Sequence, residues 1–70
     1  MTQEISFAQR AGKNLKNLIK ESGRTQEKFA DDFFVDAVTV RRWIAHGVNK
    51  LDVIEEIAKF FDVDFMDLLK

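Results

Sequence analysis

Residues 25–46, TQEKFADDFFVDAVTVRRWIAH, decide the fold, because they contain two short helix signals that lie almost end to end along the chain. Each signal is a stripe of apolar residues at helical spacing, formed by Phe29, Ala30 and Phe33 in the first and by Val40, Trp43 and Ile44 in the second. Only Phe34, Val35 and Asp36 separate the two signals. Since so short a connection cannot place two helices fully alongside each other, it predicts two helices that meet at a steep angle, a helix-turn-helix.

The outward face of the second helix is the first candidate site. It carries two adjacent arginines, Arg41 and Arg42, among small or apolar residues. An arginine can bind O6 and N7 of guanine bidentately in the major groove of DNA, which gives about 1–3 kcal/mol of discrimination. The alternative is an ordinary pair of solvated arginines on a surface helix. Trp43 is predicted to belong to the core, because its spacing from Val40 and Ile44 is helical.

Four residues of this stretch match the positions of a known motif. Gln26 opens the first helix, Ala30 is a small residue four positions later, Val40 is apolar ten positions further on, and Trp43 follows three positions after that. In this spacing the stretch resembles the helix-turn-helix of Cro/repressor-type (XRE-like) DNA-binding domains, the family of phage repressors and many small bacterial regulators. The resemblance extends over residues 13–69 and implies a compact, all-α, five-helix lambda-repressor-like domain.

The resemblance also implies a function and a set of contacts. It implies a cytoplasmic, sequence-specific double-stranded DNA-binding transcriptional regulator that places the second helix of the motif in the major groove. Such modules act as homodimers on half-sites about 34 Å apart. The residues at base-reading positions are Ala37, Val38, Arg41 and Arg42. The residues expected to contact DNA phosphates are Gln26, Lys16, Lys20, His46, Asn49 and Lys50.

The chain departs from the family pattern in two places. The family has glycine in the turn where this chain has Phe34, and a phenylalanine at positive φ is costly, so either the turn differs or Phe34 is strained. The family also pairs an arginine with a glutamate at the positions of Ile19 and Ile44. Exchanging a buried ion pair for an apolar contact is often neutral or stabilising, so this paired change supports the alignment.

Three further helices are predicted outside the central stretch. The first follows a capping box at Ser6 and Gln9 and ends before Gly23, with residues 1–5 expected to be frayed. A partial capping box at Asp52 places the start of the fourth helix near residue 49. The predicted N-caps of the other helices are Thr25, Asp36 and Asp64. The apolar faces of the first and fourth helices are Phe7, Ala8, Ala11, Leu15, Leu18 and Ile19, and Leu51, Ile54, Ile57, Ala58 and Phe61.

The fifth helix is short and unusually apolar. Its residues Phe65, Met66, Leu68 and Leu69 either close the core or expose a surface for a homodimer. The first helix instead carries a basic stripe, formed by Arg10, Lys13, Lys16 and Lys20. Solvation, contact with phosphates and attachment to a membrane surface are the three interpretations of that stripe.

Charge is distributed unevenly along the chain. The net charge of −1 does not favour nucleic acid as a partner. Residues 1–24, however, hold five basic and two acidic residues, residues 25–50 hold four of each, and residues 51–70 hold two basic and six acidic residues. A DNA-binding face needs a local positive field, so the acidic end would have to point away from DNA.

Composition argues against several classes of function. The 70 residues form one domain, and a hydrophobic fraction of 46% can supply its core. The absence of Cys, the single His and the lack of a glycine-rich loop predict no enzyme activity, no metal site and no cofactor. A chain without Cys is compatible with a reducing cytoplasm, and no apolar run exceeds three residues, so no membrane span is predicted. Two alternatives remain open: a protein–protein interaction domain on the same fold, and one module of a longer protein.

Overall fold

The computed structural model describes residues 7–70 and folds them into five α-helices, with no strand in that range. The helices are α1 (Phe7–Glu21), α2 (Gln26–Phe33), α3 (Ala37–His46), α4 (Leu51–Phe61) and α5 (Phe65–Leu68). The predicted all-α class with five helices is therefore confirmed. The capping box at Ser6 and the frayed segment 1–5 lie outside the described residues.

Phe29 of α2 lies at the centre of a single core. Its side chain is 0% exposed, and its ring centroid lies 5.1 Å from that of Phe33, 5.2 Å from that of Phe60 and 5.4 Å from that of Phe61. The aliphatic core around these rings draws on all five helices and on the segment before α4: Ala11, Leu15, Ile19, Ala30, Val40, Val48, Ile54, Ile57, Ala58 and Leu68. This shared core fixes α2 and α3 relative to the other helices.

Two glycines allow α1 to approach the C-terminal end of α3. A Cβ atom added at Gly12 would lie 2.4 Å from the carbonyl oxygen of Trp43, and one added at Gly47 would lie 2.7 Å from the carbonyl oxygen of Ala8. Gly47 also has a φ of 108°, which side-chain-bearing residues rarely adopt. The N–H of Val48 completes the contact by donating to the carbonyl of Ala8 at 2.9 Å. The orientation of α3 therefore depends on backbone contacts with α1.

The turn between α2 and α3 keeps the left-handed conformation even though it has no glycine. Phe34 has φ 63° and ψ 43°, and the N–H of Val35 reaches back to the carbonyl of Ala30 at 3.0 Å. This is the Schellman arrangement of a helix C-terminus. The sequence allowed either a different turn or a strained Phe34. The structure shows the strained Phe34, and a left-handed backbone at such a residue costs about 1–2 kcal/mol.

The predicted N-cap positions of α2, α3 and α5 are confirmed, and two of these three residues also make the capping hydrogen bond. The hydroxyl of Thr25 accepts from the N–H of Lys28 at 3.0 Å, and the carboxylate of Asp64 accepts from the N–H of Met66 at 3.1 Å. Asp36 occupies the N-cap position of α3 but makes no capping hydrogen bond. Its side chain therefore contributes only a negative charge at the helix N-terminus, while its backbone carbonyl accepts the N–H groups of Thr39 at 3.0 Å and Val40 at 3.2 Å.

The predicted start of α4 is wrong by about two residues. The helix begins at Leu51 with Lys50 in the N-cap position, and Lys50 has no side-chain oxygen with which to cap it. The carboxylate of Asp52 accepts only the N–H of Val53, at 2.9 Å, so no capping box forms. Residue 49 consequently belongs to the loop and not to the helix.

Several residues predicted to be apolar contacts lie closer to solvent. Trp43 is only half-buried, because one side of its ring meets Phe33 edge-on at 6.0 Å while the other borders a surface groove. Phe7 and Leu51 are exposed, since each is the first residue of its helix and extends beyond the core. Met66 is exposed as well.

The short helix α5 closes the core and is held by polar side chains of α1. Leu68 is buried. The guanidinium of Arg10 donates to the carbonyl of Leu69 at 2.7 Å, and the amide of Asn14 donates to the carbonyls of Leu68 at 2.9 Å and Asp67 at 3.2 Å. These bonds satisfy carbonyls that a helix C-terminus leaves unpaired. None of the helices between residues 7 and 70 combines the length and apolar character that crossing a membrane requires.

Candidate nucleic-acid interface

The outward face of α3 is exposed much as its sequence predicts. Val38, with 55% of its surface exposed, lies on this face together with Arg41, Arg42 and Ala45. Ala37, predicted to belong to the same face, is half-buried and packs against the core. The opposite face is anchored by the buried Val40 and by the half-buried Trp43 and Ile44. The helix thus presents two arginines beside short side chains that let another surface approach closely.

The two arginines differ in what they contact. The guanidinium of Arg41 lies 3.6 Å from the carboxylate of Glu27 on α2, and both side chains are more than half exposed. Arg42 makes no hydrogen bond or ion pair with any residue between 7 and 70. All of its donors therefore remain available for a bidentate acceptor.

One side of α3 borders a groove that contains neutral and cationic donors. Thr39 and Trp43 of α3 line this groove together with Asn49 and Lys50 of the loop before α4. The structure therefore brings Asn49 and Lys50 beside one side of α3. The exposed His46 ends α3 and adds a third polar group at this end of the helix.

The other side of α3 borders a shallow depression that the sequence did not predict. Ala45 lines it together with Gln9, Arg10 and Lys13 of α1 and with Lys70. Arg10 and Lys70 are engaged with Leu69 and Asp67, respectively, whereas Lys13 makes no hydrogen bond or ion pair within residues 7–70. Lys13 was visible as part of the basic stripe of α1. No local signal in the sequence placed Lys70 beside α3.

The remaining predicted phosphate contacts line neither of the two depressions beside α3. Gln26 is the first residue of α2 and is half-buried, so it stands where the unpaired N–H groups of the helix favour an anion. Lys16 and Lys20 are exposed on α1, and no hydrogen bond or ion pair within residues 7–70 joins either of them to α3. His46 therefore ends α3, Asn49 and Lys50 line the groove beside it, and Lys16 and Lys20 line neither depression.

The charge on α2 is partly neutralised by its own neighbours. Asp32 pairs with Arg24 at 3.3 Å and with Lys28 at 3.3 Å, and the guanidinium of Arg24 lies 5.0 Å above the ring of Phe60. Partial burial raises the pKa of Asp32, but hydrogen bonds and charges from Lys28 and Arg24 outweigh it, so the pKa of this carboxyl lies below its ordinary value. Asp32 is thus a paired carboxylate rather than a free charge facing a polyanion.

Charge is distributed unevenly along the outward face of α3. Asp36 stands at the N-terminal end of α3, whereas Arg42, His46 and Lys50 lie toward the C-terminal end. Among residues 7–70, no group of three or more His, Cys, Asp or Glu side chains is placed to hold a metal ion. The chemistry that the face offers is therefore hydrogen-bond donation and positive charge, not ligation.

Comparison with known proteins found no counterpart for this chain: no family model, no curated protein and no solved structure matches it. The assignment of function therefore rests on the geometry of the face itself.

Proposed function

We propose that this protein is a sequence-specific double-stranded DNA-binding transcriptional regulator, in which α2 and α3 form a helix-turn-helix and α3 enters the major groove. One observation carries the proposal: an unpaired Arg42 on an exposed helix face that is bordered on both sides by groups able to contact phosphates. The three-residue connection at 34–36 and the packing of α2 on α3 support the motif.

The side chains on the outward face of α3 suit both hydrogen bonds and apolar contacts with DNA bases. Arg42 supplies the planar pair of donors that matches O6 and N7 of guanine. Val38 supplies an exposed apolar surface for a thymine methyl group. Ala45 has no long side chain, so the backbone of α3 can approach the floor of the groove. Arg41 lies to the side and, once released from Glu27, is in a position to contact a phosphate.

The groups on either side of α3 suit the two strands of a duplex backbone. Asn49 and Lys50 would contact one strand, and Lys13 the other. Such contacts fix the position of a recognition helix without reading sequence. They also supply the local positive field that the net charge of −1 does not reveal.

A single module of this size makes few contacts, so we expect two copies on a near-palindromic site. The surface around α5 was one candidate for the dimer contact. Leu68 is buried and not available to a partner, which leaves the exposed Met66 and the half-buried Phe65 and Leu69. Three carboxylates accompany these residues at Asp62, Asp64 and Asp67. Like charges facing each other across a two-fold axis would oppose association there.

Arg42 provides the most specific test of base reading. We expect Arg42→Ala to lower affinity for a selected duplex about 5- to 150-fold, corresponding to about 1–3 kcal/mol, and to relax preference at one base pair. Arg42→Lys is the matched control, because it keeps the charge but loses the bidentate geometry. It should retain affinity for random duplexes while losing the preference. Fluorescence anisotropy on matched and mismatched duplexes measures both, and an Arg42→Lys variant with unchanged preference would contradict base reading by this residue.

Glu27 should restrain DNA binding, because its carboxylate holds Arg41 and adds a negative charge beside α3. We expect Glu27→Gln to tighten binding about two- to fivefold at low salt, in line with the roughly 0.2–1 kcal/mol of an exposed ion pair. Glu55→Gln makes the same charge change on the exposed side of α4 and serves as the control. Equal gains from both substitutions would show that only total charge matters and that Arg41 has no part in binding.

A further inference from the structure

The side chain of Phe34 is the most solvent-exposed large apolar group within residues 7–70, at 94%. It occupies a left-handed turn position, with φ 63°, that glycine or asparagine would fill without strain. Phe34 therefore combines two unfavourable features, a strained backbone conformation and a solvent-exposed aromatic ring. Neither stabilises the isolated fold, and the base and phosphate contacts proposed above do not use the ring.

The surface around Phe34 is a cleft with an aromatic floor. Phe33 and Phe60 meet edge-on at 5.8 Å, and their exposed edges line the cleft beside Phe34. Asp32, Glu56 and Lys59 form the rest of its lining. A second phenylalanine ring placed there would meet ring edges, the geometry that aromatic pairs prefer.

The charges at this cleft suit a second copy of the same chain. A two-fold contact joins identical patches, so a patch must complement itself. Lys59 lies 4.0 Å from Glu56, a weak pairing that either side chain can exchange for its counterpart on another molecule. Asp32 is already balanced by Arg24 and Lys28. The cleft therefore combines acidic residues with the basic Lys59, and one of its two acidic residues is already neutralised by Arg24 and Lys28.

We propose that Phe34 forms a two-fold homodimer contact, in which the Phe34 ring of each copy packs on the cleft floor that Phe33 and Phe60 of the other copy form. Lys59 of each copy faces Glu56 of its partner. The strained turn is retained because it holds the ring away from its own core and toward the second copy. The two rings themselves bury roughly 300–500 Å², and a similar area of the two clefts that they cover leaves the total below the roughly 1,200 Å² of a stable interface, so the dimer is weak and concentration-dependent.

Sedimentation equilibrium on the protein without DNA tests this contact separately from DNA binding. The wild type should pass from monomer to dimer as its concentration rises from about 10 μM toward 1 mM, the concentration range in which a weak contact becomes populated. Phe34→Gly should raise the dimer dissociation constant on the order of tenfold or more, because the packed ring is lost. The same substitution should raise the melting temperature of the dilute monomer by about 4–8 °C, because the turn strain is relieved.

Asp62→Gly is the matched control. Asp62 occupies the same left-handed C-terminal position on α4, with φ 56°, and does not line the cleft. This variant should also melt at a higher temperature but dimerise like the wild type. A wild type that remains monomeric near 1 mM, or a Phe34→Gly variant that dimerises unchanged, would overturn the proposal.

Discussion

Replacing Phe29 with alanine is expected to destabilise the protein by about 3–5 kcal/mol, the usual cost of removing a buried aromatic ring. Phe29 is fully buried and stacks or meets edge-on with three other rings, so the cavity would lie at the point where α2 and α4 share the core. A domain of this length has a total stability of roughly 4–10 kcal/mol. The variant should therefore be largely unfolded or close to its melting transition at room temperature.

Urea denaturation followed by circular dichroism measures this effect, and Phe34→Ala is the control. Phe34 is the same residue type five positions further along the chain, just after the end of α2, but its ring is exposed, so its truncation should change stability by less than about 1 kcal/mol. If Phe29→Ala unfolded at the urea concentration of the wild type, the aromatic cluster would not be the centre of the core.

The second large effect concerns Gly12, where α1 crosses α3. We expect Gly12→Val to cost about 3 kcal/mol or more, because even the first added carbon would lie 2.4 Å from the carbonyl oxygen of Trp43. That neighbour is backbone and cannot move aside without shifting α3. DNA affinity should fall with stability, since α3 carries the proposed base contacts.

Thermal unfolding measures the loss, and Asn17→Val provides the comparison. It introduces the same β-branched residue at an exposed position of α1 and should cost only a few tenths of a kcal/mol. A Gly12→Val variant as stable as Asn17→Val would mean that α1 and α3 do not approach as closely as the structure shows. In an open helix, replacing glycine with valine would stabilise the protein by a few tenths of a kcal/mol, so the sign alone is informative.

The fold was largely predictable because its helices obey local rules. The apolar spacing of 25–46 located α2 and α3, and Thr25 caps α2 with the hydrogen bond that its side chain predicts. The start of α4 was missed because Lys50 occupies the N-cap position without a capping oxygen, and no local rule selects lysine there. The half-buried state of Trp43 was missed because periodicity identifies the inward face of a helix but not how far the core extends along it.

Tertiary contacts were the least predictable part of the candidate site. No sequence pattern near Gly12 predicts that it packs against the carbonyl oxygen of Trp43, about thirty residues further along the chain. The same holds for Lys13, which reaches the side of α3 only because α1 crosses it there. By contrast, the exposure of Arg42 and Val38 could be predicted. Helical periodicity identifies the inward residues of α3, and these two residues lie on the opposite face.

Selection of bound duplexes from a random pool, combined with a salt titration, tests the central claim most directly. If α3 reads bases, the bound fraction will be enriched in one motif, and a two-fold arrangement of that motif will indicate two copies. Affinity should fall steeply as salt rises, because Lys13, Lys50 and the two arginines would displace counterions from phosphates. An unenriched pool even at low salt would contradict DNA recognition by α3 and favour the alternative of a protein-interaction domain.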